Sequence, residues 1–189
     1  MSSNQSTTQA VATTWTIDPT HTLVGFSAKH MMFTTVRGKF NEVKGTIVVD
    51  GANPDRSRVE VEIPAASIDT GVEQRDGHLR SADFLDVEHY PLVTFRSRRV
   101  EGAAVEAGDR FKVYGDLTIH GTTREVVLEA TYEGKGKDPW GGERAGFSAT
   151  AKIDRRDFGL VWNQALEAGG VLVGNEIRIE IEAQATQAR

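Results

Sequence analysis

Five histidines, His21, His30, His78, His89 and His120, are the side chains best suited to proton transfer or metal binding near neutral pH. No two of them flank a glutamate in the His-Glu-x-x-His spacing, and no His-x-His occurs. Asp76-x-His78 and Asp86-x-x-His89 would suit an acid–base pair or part of a metal site. In a charged segment such pairs more commonly form a solvated face, worth little energetically. There is no cysteine, which excludes disulfides, thiol nucleophiles and thiolate metal sites. No serine sits in a Gly-x-Ser-x-Gly elbow. Gly134-Lys135-Gly136 and Gly141-Gly142 lack the spacing of a phosphate loop and read as hairpin glycines. Arg96, Arg98 and Arg99 read as solubility charges on a strand surface. No metal and no catalytic residue is expected, and the chain does not read as an enzyme.

Two polar residues stand out by parity. His30 shares the apolar face of Phe26 and Ala28, and Arg155 continues the face of Ala151 and Ile153. A lone buried cation is very unfavourable, so an inward Arg155 needs partners. Asp154, Asp157 and the Arg75-Asp76 pair are the candidates, unless Arg155 lies past the strand end in solvent.

The elements that hold these residues are strands. Val59, Val61 and Ile63 alternate with Glu60 and Glu62. Phe111, Val113, Gly115, Leu117 and Ile119 alternate with polar residues, and Ile177, Ile179 and Ile181 do the same. This period of two predicts eight strands near 22–30, 37–50, 57–68, 92–100, 110–120, 124–134, 144–155 and 175–185. Gly and Pro clusters separate them, among them 51–54 and a turn over 134–142. The links are too short for crossover helices, so the sheet is antiparallel. One-sided strands must close over a core, giving an all-β barrel or sandwich. The link 70–80 is charged and does not alternate, which predicts a short helix between strands three and four. Small inward residues, Ala28, Gly115, Ala130, Ala145, Ala149 and Ala151, leave two arrangements open. They line a cavity, or they pair with large rings opposite in a tight core.

Composition bounds the rest. The 189 residues suit one domain, and 22 Lys and Arg against 27 Asp and Glu leave a net charge of −5, not the basic footprint of a nucleic-acid binder. Residues 1–14 carry no charged side chain and no apolar run of signal-peptide length. They are expected to be a disordered leader before a single domain over 15–186, and the expected location is cytoplasmic.

Several motifs resemble the YceI family. Trp15-x-Ile17-Asp18-x-x-His21, Phe26-x-x-Lys29-His30 and Arg37-Gly38-Lys39-Phe40 are similar to its opening. Arg75-Asp76-x-His78-Leu79-Arg80-Ser81-x-Asp83-Phe84-Leu85-Asp86 resembles its most specific run, and Gly115–Thr123 and Ile153–Gly159 complete the match. The resemblance implies a lipocalin-like, extended eight-stranded antiparallel β-barrel that binds a long-chain isoprenoid lipid, a polyisoprenoid or an isoprenoid quinone, in its interior as carrier, store or sequestering protein. The alternative is an enzyme or stress-protective factor acting on that lipid through rim histidines and arginines. Many members are periplasmic. The expected partners are the lipid and, transiently, a membrane; a homodimer is left open, and no cofactor is expected beyond the lipid. Parity and mid-strand position put Phe26, Phe95, Leu117, Leu128, Phe147 and Ala149 on the wall. Leu79 and Phe84 are expected to close one end. His30 and Arg155 are expected at the polar end, Arg155 offering charge to a phosphorylated head group.

Overall fold

The structure, a computed structural model, describes residues 11–188. Eight staves run up and down in chain order, each bonded antiparallel to the next, and the last returns to the first. The first three staves are interrupted. They are β1 (Thr13–Ile17) with β2 (Leu23–His30), β3 (Thr34–Phe40) with β4 (Lys44–Val49), and β5 (Arg58–Pro64) with β6 (Ile68–Asp69). The other five are continuous: β7 (Leu92–Glu101), β8 (Arg110–Ile119), β9 (Thr122–Lys137), β10 (Glu143–Asp154) and β11 (Glu176–Gln187). β11 closes the ring by pairing with β1 near its C-terminal end (Gln187 opposite Trp15) and with β2 in its first half (Arg178 opposite Ser27). This is the eight-stranded antiparallel barrel that the resemblance implies, one of the two closures the alternation allows, and it leaves only the short β6 without a partner on its β7 side.

The interruptions have local causes. Pro19 has no amide to donate, and the Asp18 carboxylate takes the Thr20 amide at 2.9 Å, turning the chain between β1 and β2. Pro64 starts a similar turn over Ala65–Ser67. Asn41 donates its amide to the Ser67 carbonyl at 2.9 Å, so the breaks in staves two and three lie against each other. The strand expected over 37–50 is therefore two strands. At the N-terminus, positions 1–10 of the expected leader lie outside the described residues. Thr13 and Thr14 belong to β1, opposite Val49 and Val48, so the strand starts before the expected boundary.

The helix α1 (Glu73–Arg80) lies within the expected link. Asp76, 3% exposed, fixes it to the strand before it by accepting the Thr70 amide at 2.9 Å and hydroxyl at 2.5 Å. β6 has only two residues and no bond to β7. The chain from α1 onward buries Phe84 and Leu85 there. The expected turn over 134–142 is shorter in the structure. β9 runs on to Lys137, β10 resumes at Glu143, and Asp138 caps the tip by accepting the Gly142 amide at 2.8 Å.

The main core contains Ile63, Val93, Phe95, Val113, Leu117 and Phe158. A second, smaller core gathers Trp15, Tyr132, Ala145 and Ala185 where β1, β9, β10 and β11 meet. Small–large pairing is real where Gly38 meets Phe26 and where Gly115 meets Phe95. A Cβ on Gly115 would lie 2.5 Å from Cζ of Phe95, so only glycine lets that ring lie flat against β8.

Candidate functional site

The inward faces enclose a pocket of about 600 Å³, within the range of about 300–1,000 Å³ usual for small-molecule sites. It runs from the loops at 50–58 and 102–105 at one end of the barrel to α1 and the segment 160–173 at the other. Ten residues of β8 at about 3.3 Å each, tilted by about 40°, put the barrel at about 25 Å tall. The space is long and narrow. Its middle is walled by aliphatic and phenyl groups. Thr22 and Ser148 are polar exceptions, and the Thr22 hydroxyl bonds the backbone of Gln184. Ser148 at the wall donates its hydroxyl to Glu133 at 2.6 Å. A binding space without unsatisfied polar groups selects for hydrocarbon, because any polar ligand atom there would lose its water without replacement.

The wall residues expected from parity all face this space. Phe26 lies on β2, its ring 5.7 Å from that of Phe40. Phe95 and Leu117 stand opposite each other on β7 and β8. Leu128 on β9 faces Val113, and Ala149 on β10 lies between Ala130 and Ile181. Phe147 borders the pocket where it meets the smaller core, 6.4 Å from Phe111. Leu79 and Phe84 lie at the α1 end.

Arg155 differs from the expectation. It is 3% exposed and borders the pocket, but no carboxylate among the described residues pairs with it. Its guanidinium donates to four backbone carbonyls: Leu160 at 2.6 Å, Trp162 at 2.9 Å, Gly174 at 3.0 Å and Val173 at 3.4 Å. The side chain ties down the segment between β10 and β11, and burial pushes its pKa below the ordinary arginine value. Asp154, one of its expected partners, is held instead by Arg156 at 2.6 Å, and its pKa is lowered to about 2 by that hydrogen bond. With four of five donors engaged, Arg155 is not an open charge for a phosphate. The parity signal was right about direction; carbonyls in a segment without periodicity gave no signal of the real partners.

His30 is exposed at the end of β2, where it bridges to Val173 and borders the pocket. The same end carries groups that the strand pattern does not single out. Arg75 borders the pocket, its Nε on the Thr70 hydroxyl at 2.7 Å and its Nη2 on the Thr70 carbonyl at 2.9 Å. The His78 ring stands edge-on to Trp162 and Phe84, with centroids 4.7 and 5.0 Å away, and its Nε2 meets Asp83 at 2.8 Å. His21 and His89 form similar exposed pairs with Asp18 and Asp86. His89 is raised above its ordinary pKa by the Asp86 hydrogen bond. Among the described residues, no three His, Asp or Glu side chains converge as a metal site.

Residues 15–185 match the family model described as the YceI-like domain. The chain is 43% identical over 153 residues to the protein YceI of Escherichia coli O157:H7, covering 80% of this chain and 78% of that protein. Its fold is similar to that of BcnA of Burkholderia cenocepacia, with a TM-score of 0.76 and 23% identity over 89% of this chain and 98% of that one. It is also similar in fold to a polyisoprenoid binding domain of Saccharophagus degradans, with a TM-score of 0.68 and 13% identity over 92% and 98% of the two chains.

Proposed function

The chain belongs to the YceI-like domain family, and from that premise we propose that it binds a long-chain isoprenoid lipid in its barrel and acts as a carrier, store or sequestering protein. The observation that carries this reading is the shape and chemistry of the pocket, a narrow apolar space along the barrel with its cationic groups at the ends. The likeness in fold to a polyisoprenoid binding domain supports the same class of ligand.

Each buried CH₂ contributes roughly 0.8 kcal/mol, so a linear hydrocarbon gains affinity along the whole wall. Loss of translational freedom and ordering of the chain offset part of this. Specificity then follows length and width. The head group lies at the α1 end beside His30 and Arg75, where a ring nitrogen or a guanidinium is available to an oxygen. Trp162, half-buried at that end, reports occupancy. We read the role as binding rather than catalysis: the histidine–carboxylate pairs are at least partly solvated, and the Thr20 hydroxyl that sits 3.0 Å from His21 is held by Asp18 at 2.7 Å and lies outside the pocket lining.

The test is a titration of delipidated protein with isoprenoid alcohols of increasing length, read by tryptophan fluorescence with Trp162→Phe as the control. Affinity that rises with chain length until the pocket is full, with the signal lost in Trp162→Phe, is expected. Affinity independent of length would overturn the reading.

A further inference from the structure

The connection between β2 and β3 has a sequence that suits neither its backbone nor its solvent. Met31 and Met32 both adopt positive φ, 50° and 65°, and the Phe33 amide closes on the His30 carbonyl at 3.1 Å. Two successive positive φ values favour Asn-Gly, since a Cβ crowds the carbonyl in that region. The chain has two methionines there and then a phenylalanine. All three are exposed, at 37%, 61% and 81%. Such a conflict between local chemistry and fold marks a functional position more often than an accident.

Two further observations say what the tip meets. It is continuous with the pocket, because the Met31 amide bonds the carbonyl of Leu172 at 2.8 Å, and His30, Leu172 and Val173 all border the pocket. The hairpin is also basic on an acidic protein. Residues 23–40 contain Lys29, Arg37 and Lys39 and no carboxylate, in a chain of net charge −5. Lys29 and Arg37 lie on the same outer face, the Lys29 ammonium on the Thr35 hydroxyl at 2.9 Å; Lys39 lies opposite Asp69 of β6. A convex tip of three side chains is too small for a stable protein interface, which needs about 800 Å² a side. It does suit shallow insertion at a bilayer surface, where apolar groups enter the acyl boundary and cations meet lipid phosphates.

We propose that the β2–β3 hairpin docks the protein on an anionic lipid bilayer, Met32 and Phe33 entering the interface and Lys29 and Arg37 meeting the phosphates, so that the pocket exchanges its ligand with the bilayer at this end. The exchange step rests on the isoprenoid-binding reading; the docking itself does not.

The full chain is floated with vesicles of equimolar phosphatidylcholine and phosphatidylglycerol, and with vesicles of phosphatidylcholine alone. Wild type should bind the anionic vesicles more strongly, and added salt should weaken it. Met32→Asp with Phe33→Asp should lower binding by about tenfold or more. Met31→Asn with Met32→Gly should also lower it while keeping or raising the melting temperature, because these residues suit the turn. Neither pair should change uptake of an isoprenoid alcohol presented from ethanol, while uptake from vesicles should slow. Equal vesicle binding by wild type and both variants, or no binding by wild type, overturns the docking. So does a wild-type dimer that the Asp variant dissociates, which makes the tip a self-association surface. Loss of uptake from ethanol by wild type would instead sink the isoprenoid reading and leave the docking result standing.

Discussion

Strand β10 begins at a half-buried arginine and ends beside a fully buried one, and the two are held in opposite ways. Arg144, at its start, meets two carboxylates, Asp18 at 2.7 Å and Asp138 at 2.9 Å, and the Gln184 side chain at 2.9 Å. Its charge is balanced and its pKa is raised by those hydrogen bonds. It stitches β1, the β9–β10 tip and β11 together beside the smaller core. Arg155, just past the other end, meets only carbonyls, and burial lowers its pKa. The first end is a closure between strands. The second is a scaffold for an irregular segment that forms the pocket end together with α1 and the end of β2. Charge is neutralised where the barrel needs stability, and is spread over backbone dipoles where it shapes a site.

Arg155→Ala tests the contrast most severely. Removing four charge-assisted bonds and leaving their carbonyls partly buried should cost about 3 kcal/mol or more in urea unfolding. Lysine should not rescue it, because a point charge cannot replace the guanidinium fork. Next, Ala149→Trp fills the pocket between Ala130 and Ile181 without removing core. It should reduce isoprenoid affinity about a hundredfold, or about 2.7 kcal/mol, in a protein that still melts cooperatively. Undiminished binding would mean that the lipid lies elsewhere.

Asp18→Asn addresses the other end. The Thr20 hydroxyl, then His21 and Arg144, hold the Asp18 carboxyl well below its ordinary pKa of 3.8. A depressed folded value means that its contribution is full above the unfolded value and is lost as pH falls towards the folded one. Asp18→Asn should therefore lose about 2 kcal/mol at neutral pH and show a flatter decline in stability below about pH 4. A variant with the wild-type acid limb would remove Asp18 from the closure. The smallest effect is expected from His30→Ala, a loss of about 1 kcal/mol in affinity for an isoprenoid with an oxygen head group, the scale of one hydrogen bond. The apolar tail should keep binding measurable in the same fluorescence titration.

The period of two made the eight antiparallel strands readable, the family motifs chose a barrel over a sandwich, and the inward set followed from parity alone. Phe95 and Leu117 needed no more than that. Neither the break at 41–43, where Val43 is buried between two strands, nor the start of β1 inside a Ser- and Thr-rich stretch has a periodic signature. The partners of Arg155 were beyond reach for a related reason. Backbone carbonyls of residues 160–174 are identical in every sequence, and only the fold brings four of them to one guanidinium. Arg75 and Trp162 sit in segments without alternation, so their approach to the pocket depends on how α1 and the segment after Arg155 fold back over the barrel end.

The proposed isoprenoid chain in the barrel interior can be sought in the protein itself. Organic extraction of purified wild type and of Ala149→Trp, expressed in the same host and analysed by mass spectrometry, tests for it directly. A long-chain isoprenoid should be recovered near one per protein from wild type and be greatly depleted in the variant. A wild-type extract without any isoprenoid, from protein that also fails to take one up when it is supplied, would contradict the proposal.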